Sequence, residues 1–115
     1  MSYHTHSGYA AENRACDYLT GQGLQLIERN FHSRRGELDL IMRDGEVWVF
    51  VEVRQRSSRR YGSAAETVSY RKQTRLLHAA SYYLQSRRIE APCRFDVIAI
   101  DGGDLTWIKD AFQAG

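Results

Sequence analysis

The sequence predicts one mixed α/β domain with the element order αβββαββ, and three features predict it. Segments 8–20 and 67–88 carry apolar residues at helical spacing. Asp44-Gly45 stands between two strand-like runs, the strongest short-range signal for a hairpin. The run EVWVFVEV (46–53) is apolar on both faces until its end, which fits a central strand covered on both sides.

Taken in order, Ser7 is placed to cap the first helix, and Gly21 and Gly23 stop it. Ala11, Ala15, Tyr18 and Leu19 form its apolar stripe. A strand follows over 24–30, then the polar turn FHSRRG. Strands over 37–43 and 46–54 make the hairpin. The loop QRSSRRYGSAAE leads to the second helix, whose core stripe is Gln73, Leu76, Leu77, Ala80 and Leu84. Pro92 interrupts the chain, RFDVIAI (94–100) is a strand, and Gly102-Gly103 turns it into a last strand over 105–109. No repeat or linker divides the 115 residues, so a single domain spanning 1–115 is expected.

The composition excludes several classes. A hydrophobic fraction of 43% with 11% aromatic residues is enough for a core, which argues against disorder despite a mean hydropathy of −0.53. The longest apolar run, Val47 to Val51, is far too short to span a bilayer. The N-terminal stretch has no apolar segment suited to secretion. Cys16 and Cys93 form neither a disulfide framework nor a CxxC metal pattern, and they read as small buried apolar residues. A reduced, cytoplasmic protein with no membrane partner is the expectation.

Charge is unevenly spread. The net charge is only +2, yet Arg54, Arg56, Arg59, Arg60, Arg71, Lys72 and Arg75 face a single acid, Glu66, in the segment they bound. Lys72 and Lys109 are the only lysines, so the basic set is almost all arginine. Arginine grips phosphate through a planar fork of donors, so this segment reads either as a nucleic-acid footprint or as a solvated charged loop.

The hairpin brings acids together. With Asp44-Gly45 as a two-residue loop, Arg43 faces Glu46, Asp39 faces Phe50 and Glu37 faces Glu52. Asp39, Glu52, Arg54 and Glu37 then project from one face, with Asp39 and Glu52 diagonal neighbours about 7–8 Å apart. A slip of one residue would separate them. Clustered carboxylates at the end of an apolar strand need compensation. Either a divalent cation supplies it, or Arg54, Arg34 or Arg35 does so as an ion pair. Glu12, on the flank of the first helix's stripe, is a snorkelling surface acid or a further ligand.

The segments GELDLIMRDG (36–45), VFVEVRQR (49–56), YGSAAETV (61–68), RKQ…LL…AA (71–80) and RFDV (94–97) resemble the YraN-like family. That family is assigned to the restriction-endonuclease-like superfamily, near the archaeal Holliday junction resolvases. The resemblance implies a mixed sheet flanked by helices and an acid-x(n)-acid-x-lysine signature. It sets Asp39 and Glu52 on the two metal-binding acids, with Val53 lending a carbonyl, and Glu12 on a helix-borne glutamate of the resolvase-like branch. The signature lysine falls on Arg54, which supplies charge but does not release a proton near neutral pH. Lys72, on the flank of the second helix's core stripe, either compensates or contacts a phosphate or an acid such as Asp96.

The reading is therefore an endonuclease dependent on Mg²⁺ or Mn²⁺, hydrolysing phosphodiesters in DNA, branched or damaged DNA included. Asp39, Glu52, Arg54 and Lys72 form the catalytic set. Arg56, Arg59, Arg60, Arg71 and Arg75 hold the backbone of the nucleic acid. Tyr61 either stacks on an unpaired base or anchors the loop. His4 and His6 are weak evidence for a metal, and His32 and His78 read as surface residues. A homodimer is allowed. The alternatives are a nucleic-acid-binding module without catalysis and a protein-interaction scaffold whose acids are only ion-paired.

Overall fold

The structure, a computed structural model, describes residues 6–56 and 68–113. Helix α1 (His6–Gly21) is followed by β1 (Gln25–His32), β2 (Glu37–Asp44) and β3 (Val47–Arg56). Then come α2 (Tyr70–Ser86), β4 (Cys93–Asp101) and β5 (Asp104–Phe112). The order is αβββαββ, as the sequence predicts. The five strands lie in the order β1-β2-β3-β4-β5, all neighbours antiparallel except the parallel pair β3 and β4. Parallel neighbours need a crossover, and α2 lies in that connection. β3 is the central strand.

Each helix covers one face. Ala11, Ala15 and Leu19 of α1 pack with Leu40, Met42, Val49, Val51, Ile98 and Ile100. Leu76, Ala79, Ala80 and Tyr83 of α2 pack with Ile41, Phe50, Phe95, Val97 and Ala99 on the other face. The burial of alternate residues on both sides explains why β3 and β4 read as continuous apolar runs.

Several expectations are corrected. Helix α1 begins at His6, so Ser7 lies in its first turn instead of capping it. Tyr18 is 38% exposed and leaves the stripe, meeting the Trp107 ring edge-on at 6.2 Å. The core stripe of α2 is rotated towards Ala79 and Tyr83. The reason is aromatic: the Tyr83 ring fits edge-on against Phe31 (5.0 Å) and Phe50 (6.2 Å), leaving Leu77 and Leu84 partly covered. Gln73 stays near the core by donating its side-chain amide to the Val68 carbonyl. Cys16 is buried, but Cys93 is exposed, because it opens β4 at the end of the sheet.

The hairpin register also differs. Asp44 pairs with Val47, Ile41 with Phe50 and Leu40 with Val51, so the loop is Gly45-Glu46. Gly45 takes the positive φ of +63° that the tight turn requires. Asp44 is retained in β2, where its carboxylate accepts from Arg94 Nη1 at 3.0 Å. The shift is two residues, so residues 40–44 keep their predicted faces, whereas Leu38 joins Ile41 on the α2 side. The pairing runs from Leu40–Val51 to Asp44–Val47, and just beyond it the Asp39 carboxylate turns to the Val53 N–H.

Candidate metal centre and basic groove

Glu52 alternates with Val51 and so shares the face of Phe50, the α2 side of the sheet. Asp39 stands close enough to feel the charges of both Glu52 and Lys72. Asp39 Oδ2 accepts the Val53 backbone N–H at 2.9 Å, and Glu52 is only 4% exposed. One oxygen, Glu52 Oε2, has Lys72 Nζ at 3.6 Å and Arg54 Nη1 at 3.7 Å. The four residues assigned to catalysis thus meet around a pair of carboxylates.

Burial, reinforced by the neighbouring charge of Glu52, pushes Asp39 up to about 7. The Val53 N–H and the Lys72 ammonium pull the other way but do not win. Two carboxyl groups this close do not both ionise readily, so one proton is retained near neutral pH. A divalent cation could take that proton's place, with two carboxylates as its protein donors. Among the described residues no third carboxylate, histidine or cysteine gathers with them.

Glu12 is not brought into the pair. It is buried on α1, against the opposite face of the sheet, with Arg29 Nη2 at 3.6 Å from Oε1. Val53 meets Asp39 through its N–H, whereas the sequence reading assigns its carbonyl. Lys72 reaches Glu52 and not Asp96. Asp96, with no exposure at all, accepts from Arg94 Nε (3.1 Å), Trp107 Nε1 (3.0 Å) and the Asp110 N–H (2.9 Å). That set pins the bulged edge strand β5 to β4, where Asp110 has a positive φ of +52°.

A basic groove adjoins the acids. The turn after β1 is pressed onto α2, and the two enclose a hollow of about 280 Å³ lined by Arg34, Arg35, Glu37, Lys72, Arg75 and Leu76. It continues into a wider groove of about 620 Å³ along His32, Arg34, Arg35, His78, Tyr82 and Gln85. Among the described residues, Arg34, Arg35, Arg71 and Arg75 have no carboxylate partner. Unpaired guanidiniums crowded along one groove repel each other unless an anion joins them.

Of the five arginines predicted to hold nucleic acid, Arg71 and Arg75 lie on the exposed side of α2. Arg59 and Arg60, with Tyr61, fall outside the described residues, and of Arg56 only the backbone is described. Sequence reasoning missed Arg34 and Arg35 as groove residues, weighing them only as counter-ions of the acids. The available signal was the Arg-Arg-Gly triplet just before the first acidic strand.

Comparison with known proteins gives a family without assigning it a function. The chain is 52% identical to a UPF0102 protein of Janthinobacterium sp. (strain Marseille), over 94% of this chain and 88% of the relative. It is 51% identical to a UPF0102 protein of Shewanella loihica, over 95% of this chain and 96% of the relative. A UPF0102 protein of Halorhodospira halophila is 55% identical, over 92% of this chain and 86% of the relative. The family profile itself matches residues 11–100, which takes in most of α1, both acids, α2 and nearly all of β4. The chain therefore belongs to the uncharacterised protein family UPF0102.

Proposed function

We propose that the protein is a metal-dependent endonuclease acting on DNA, with Asp39 and Glu52 holding Mg²⁺ or Mn²⁺. The observation that carries this reading is the carboxyl pair itself: two neighbouring acids, a backbone N–H fixing one of them and two cations beside the other. The resemblance to the YraN-like family and the restriction-endonuclease-like superfamily supports the same assignment. When bound, the cation would supply charge neutralisation at the scissile phosphate and a more acidic attacking water.

The chain's own residues perform the rest. Val53 N–H orients Asp39, and Lys72 and Arg54 hold Glu52 in place while presenting positive charge to the phosphate. Arg54 acts by charge alone, since its guanidinium does not release a proton near neutral pH. Lys72, a compact ammonium 3.6 Å from Glu52 Oε2, is the residue positioned to take the part of the missing signature lysine. Arg34, Arg35, Arg71 and Arg75 bind phosphates on either side. Glu12, paired with Arg29, supports α1 on the sheet.

The test is nicking of branched and linear DNA with Mg²⁺ and with Mn²⁺, using Asp39→Ala as the blank. Metal-dependent cuts by the wild type alone support the reading. Identical backgrounds from both proteins would overturn it. Arg54 in the lysine position favours a second reading, a binding module without catalysis, and salt-sensitive binding without cleavage would establish that one.

A further inference from the structure

The wider groove contains more than phosphate ligands. Tyr82 projects into it from α2 with 58% of its surface exposed, while the adjacent Tyr83 points into the core. Its ring is backed by Phe31 at 6.2 Å with 28° between the planes, and the Arg87 guanidinium caps Phe31 in turn at 5.5 Å. The ring is thus supported from behind and open in front. His78 stands one turn away along the same groove wall, and Arg34 and Arg35 stand across from both.

We propose that this groove binds an unpaired nucleotide, its base stacked on Tyr82 and its phosphate held by Arg34 and Arg35. The proposal rests on the nuclease reading and narrows its substrate to DNA with unpaired bases near the cut. An aromatic face beside unpaired arginines is the combination that single strands use, because every base has a face to stack while every phosphate carries charge. A volume of about 620 Å³ lies within the range of small-ligand sites, roughly 300–1,000 Å³. A paired base, stacked on both sides within a duplex, offers no such face. The path to the acids is continuous, since Arg34 and Arg35 also line the hollow that reaches Lys72, itself beside Glu52. From Lys72 to Tyr82 the helix rises about 15 Å at 1.5 Å per residue. That distance matches about four phosphates of one strand at B-form spacing, and fewer if the strand is stretched.

The experiment is fluorescence anisotropy in EDTA with two labelled probes, a blunt duplex and the same duplex bearing a short dT tail. The wild type is expected to bind the tailed probe about tenfold or more tightly, a range that one stacked base supplies. Tyr82→Ala should remove that preference and leave blunt-duplex binding unchanged, while Tyr82→Phe keeps it. Arg34→Ala, a change in an exposed turn, should weaken tailed-probe binding several-fold more than blunt-probe binding. Equal binding of both probes by the wild type, or a preference that survives Tyr82→Ala, would overturn the proposal even if cleavage with Mn²⁺ is intact. A Tyr82-dependent preference without cleavage would leave the groove standing and overturn the nuclease reading alone. Failure to bind either probe would overturn the proposal.

Discussion

Gly36 and Arg75 meet backbone to backbone: a Cβ placed on Gly36 would lie 2.5 Å from the Arg75 carbonyl oxygen and 3.0 Å from its carbonyl carbon. No side-chain rotation relieves a clash with a helix backbone. The absence of a Cβ is what lets the 33–36 turn sit on α2 and bring Arg34 and Arg35 beside Arg75 and Lys72. The turn is tied from within as well, since the Ser33 N–H and hydroxyl both donate to the Gly36 carbonyl at 2.8 Å.

Gly36→Ala is therefore expected to lift the turn from α2 and open the basic groove. Overpacking of this kind costs about 1–3 kcal/mol, which urea unfolding would read directly. The same variant should bind DNA with a shallower salt dependence than the wild type. Unchanged stability and unchanged salt slope together would show that the turn does not need this close approach.

Salt dependence isolates the arginines themselves. Each neutralised phosphate contributes about −0.9 to the slope of log affinity against log salt on duplex DNA. Replacing Arg34 and Arg35 together by Ala should flatten the slope by up to about two units. The same change at Arg59 and Arg60 tests the segment that the sequence alone singles out. A slope that neither pair alters would remove both from the interface.

The acid pair makes stability depend on pH in a defined direction. Asp39 holds its proton up to about 7 in the folded chain, against an ordinary value of 3.8. Between those two pH values the folded state binds more proton than the unfolded state, so stability falls as pH rises from about 4 to about 7. Asp39→Asn keeps an acceptor for the Val53 N–H and removes the charge, so it should flatten this profile and stabilise the metal-free protein above pH 7. The gain should be on the order of a few kcal/mol at most. Urea unfolding at intervals from pH 4 to pH 8 gives the comparison. A wild-type profile that rises over that interval would contradict the raised value.

Much of this site was legible in the sequence, and the reason is side-chain parity. The Asp-Gly turn placed the hairpin to within two residues, and an even error keeps residues 40–44 on their faces, with Asp39 then drawn to the Val53 N–H. The direction of Lys72 followed from its angle to the core stripe, although Tyr83 rotated that stripe. Tertiary approach was not legible. Nothing local to Arg34 and Arg35 says that Gly36 will touch α2 at Arg75, and nothing local to Glu12 says that Arg29 will reach it from β1. The exposed position of Cys93 depends on where the sheet ends, which spacing does not reveal.

Lys72 and Arg54 divide the proposed chemistry between them, and cleavage rates separate the two. Arg54→Lys should change the rate little, because charge is all the position supplies. Lys72→Ala should lower kcat tenfold or more, about 1.4 kcal/mol of barrier, with KM less affected. If Arg54→Lys instead raises a nearly absent activity, the proton chemistry of the signature lysine is what this chain lacks.

The central claim is that Asp39 and Glu52 share one divalent cation, and calorimetric titration with Mn²⁺ tests it most directly. The account predicts saturable binding of about one ion per chain by the wild type. It predicts loss of that binding in Asp39→Ala and in Glu52→Ala, with both variants still folded by circular dichroism. Because bound metal displaces the retained proton, affinity should also weaken as pH falls below about 7. Absence of binding in the wild type, or equal binding by wild type and Asp39→Ala, would contradict it.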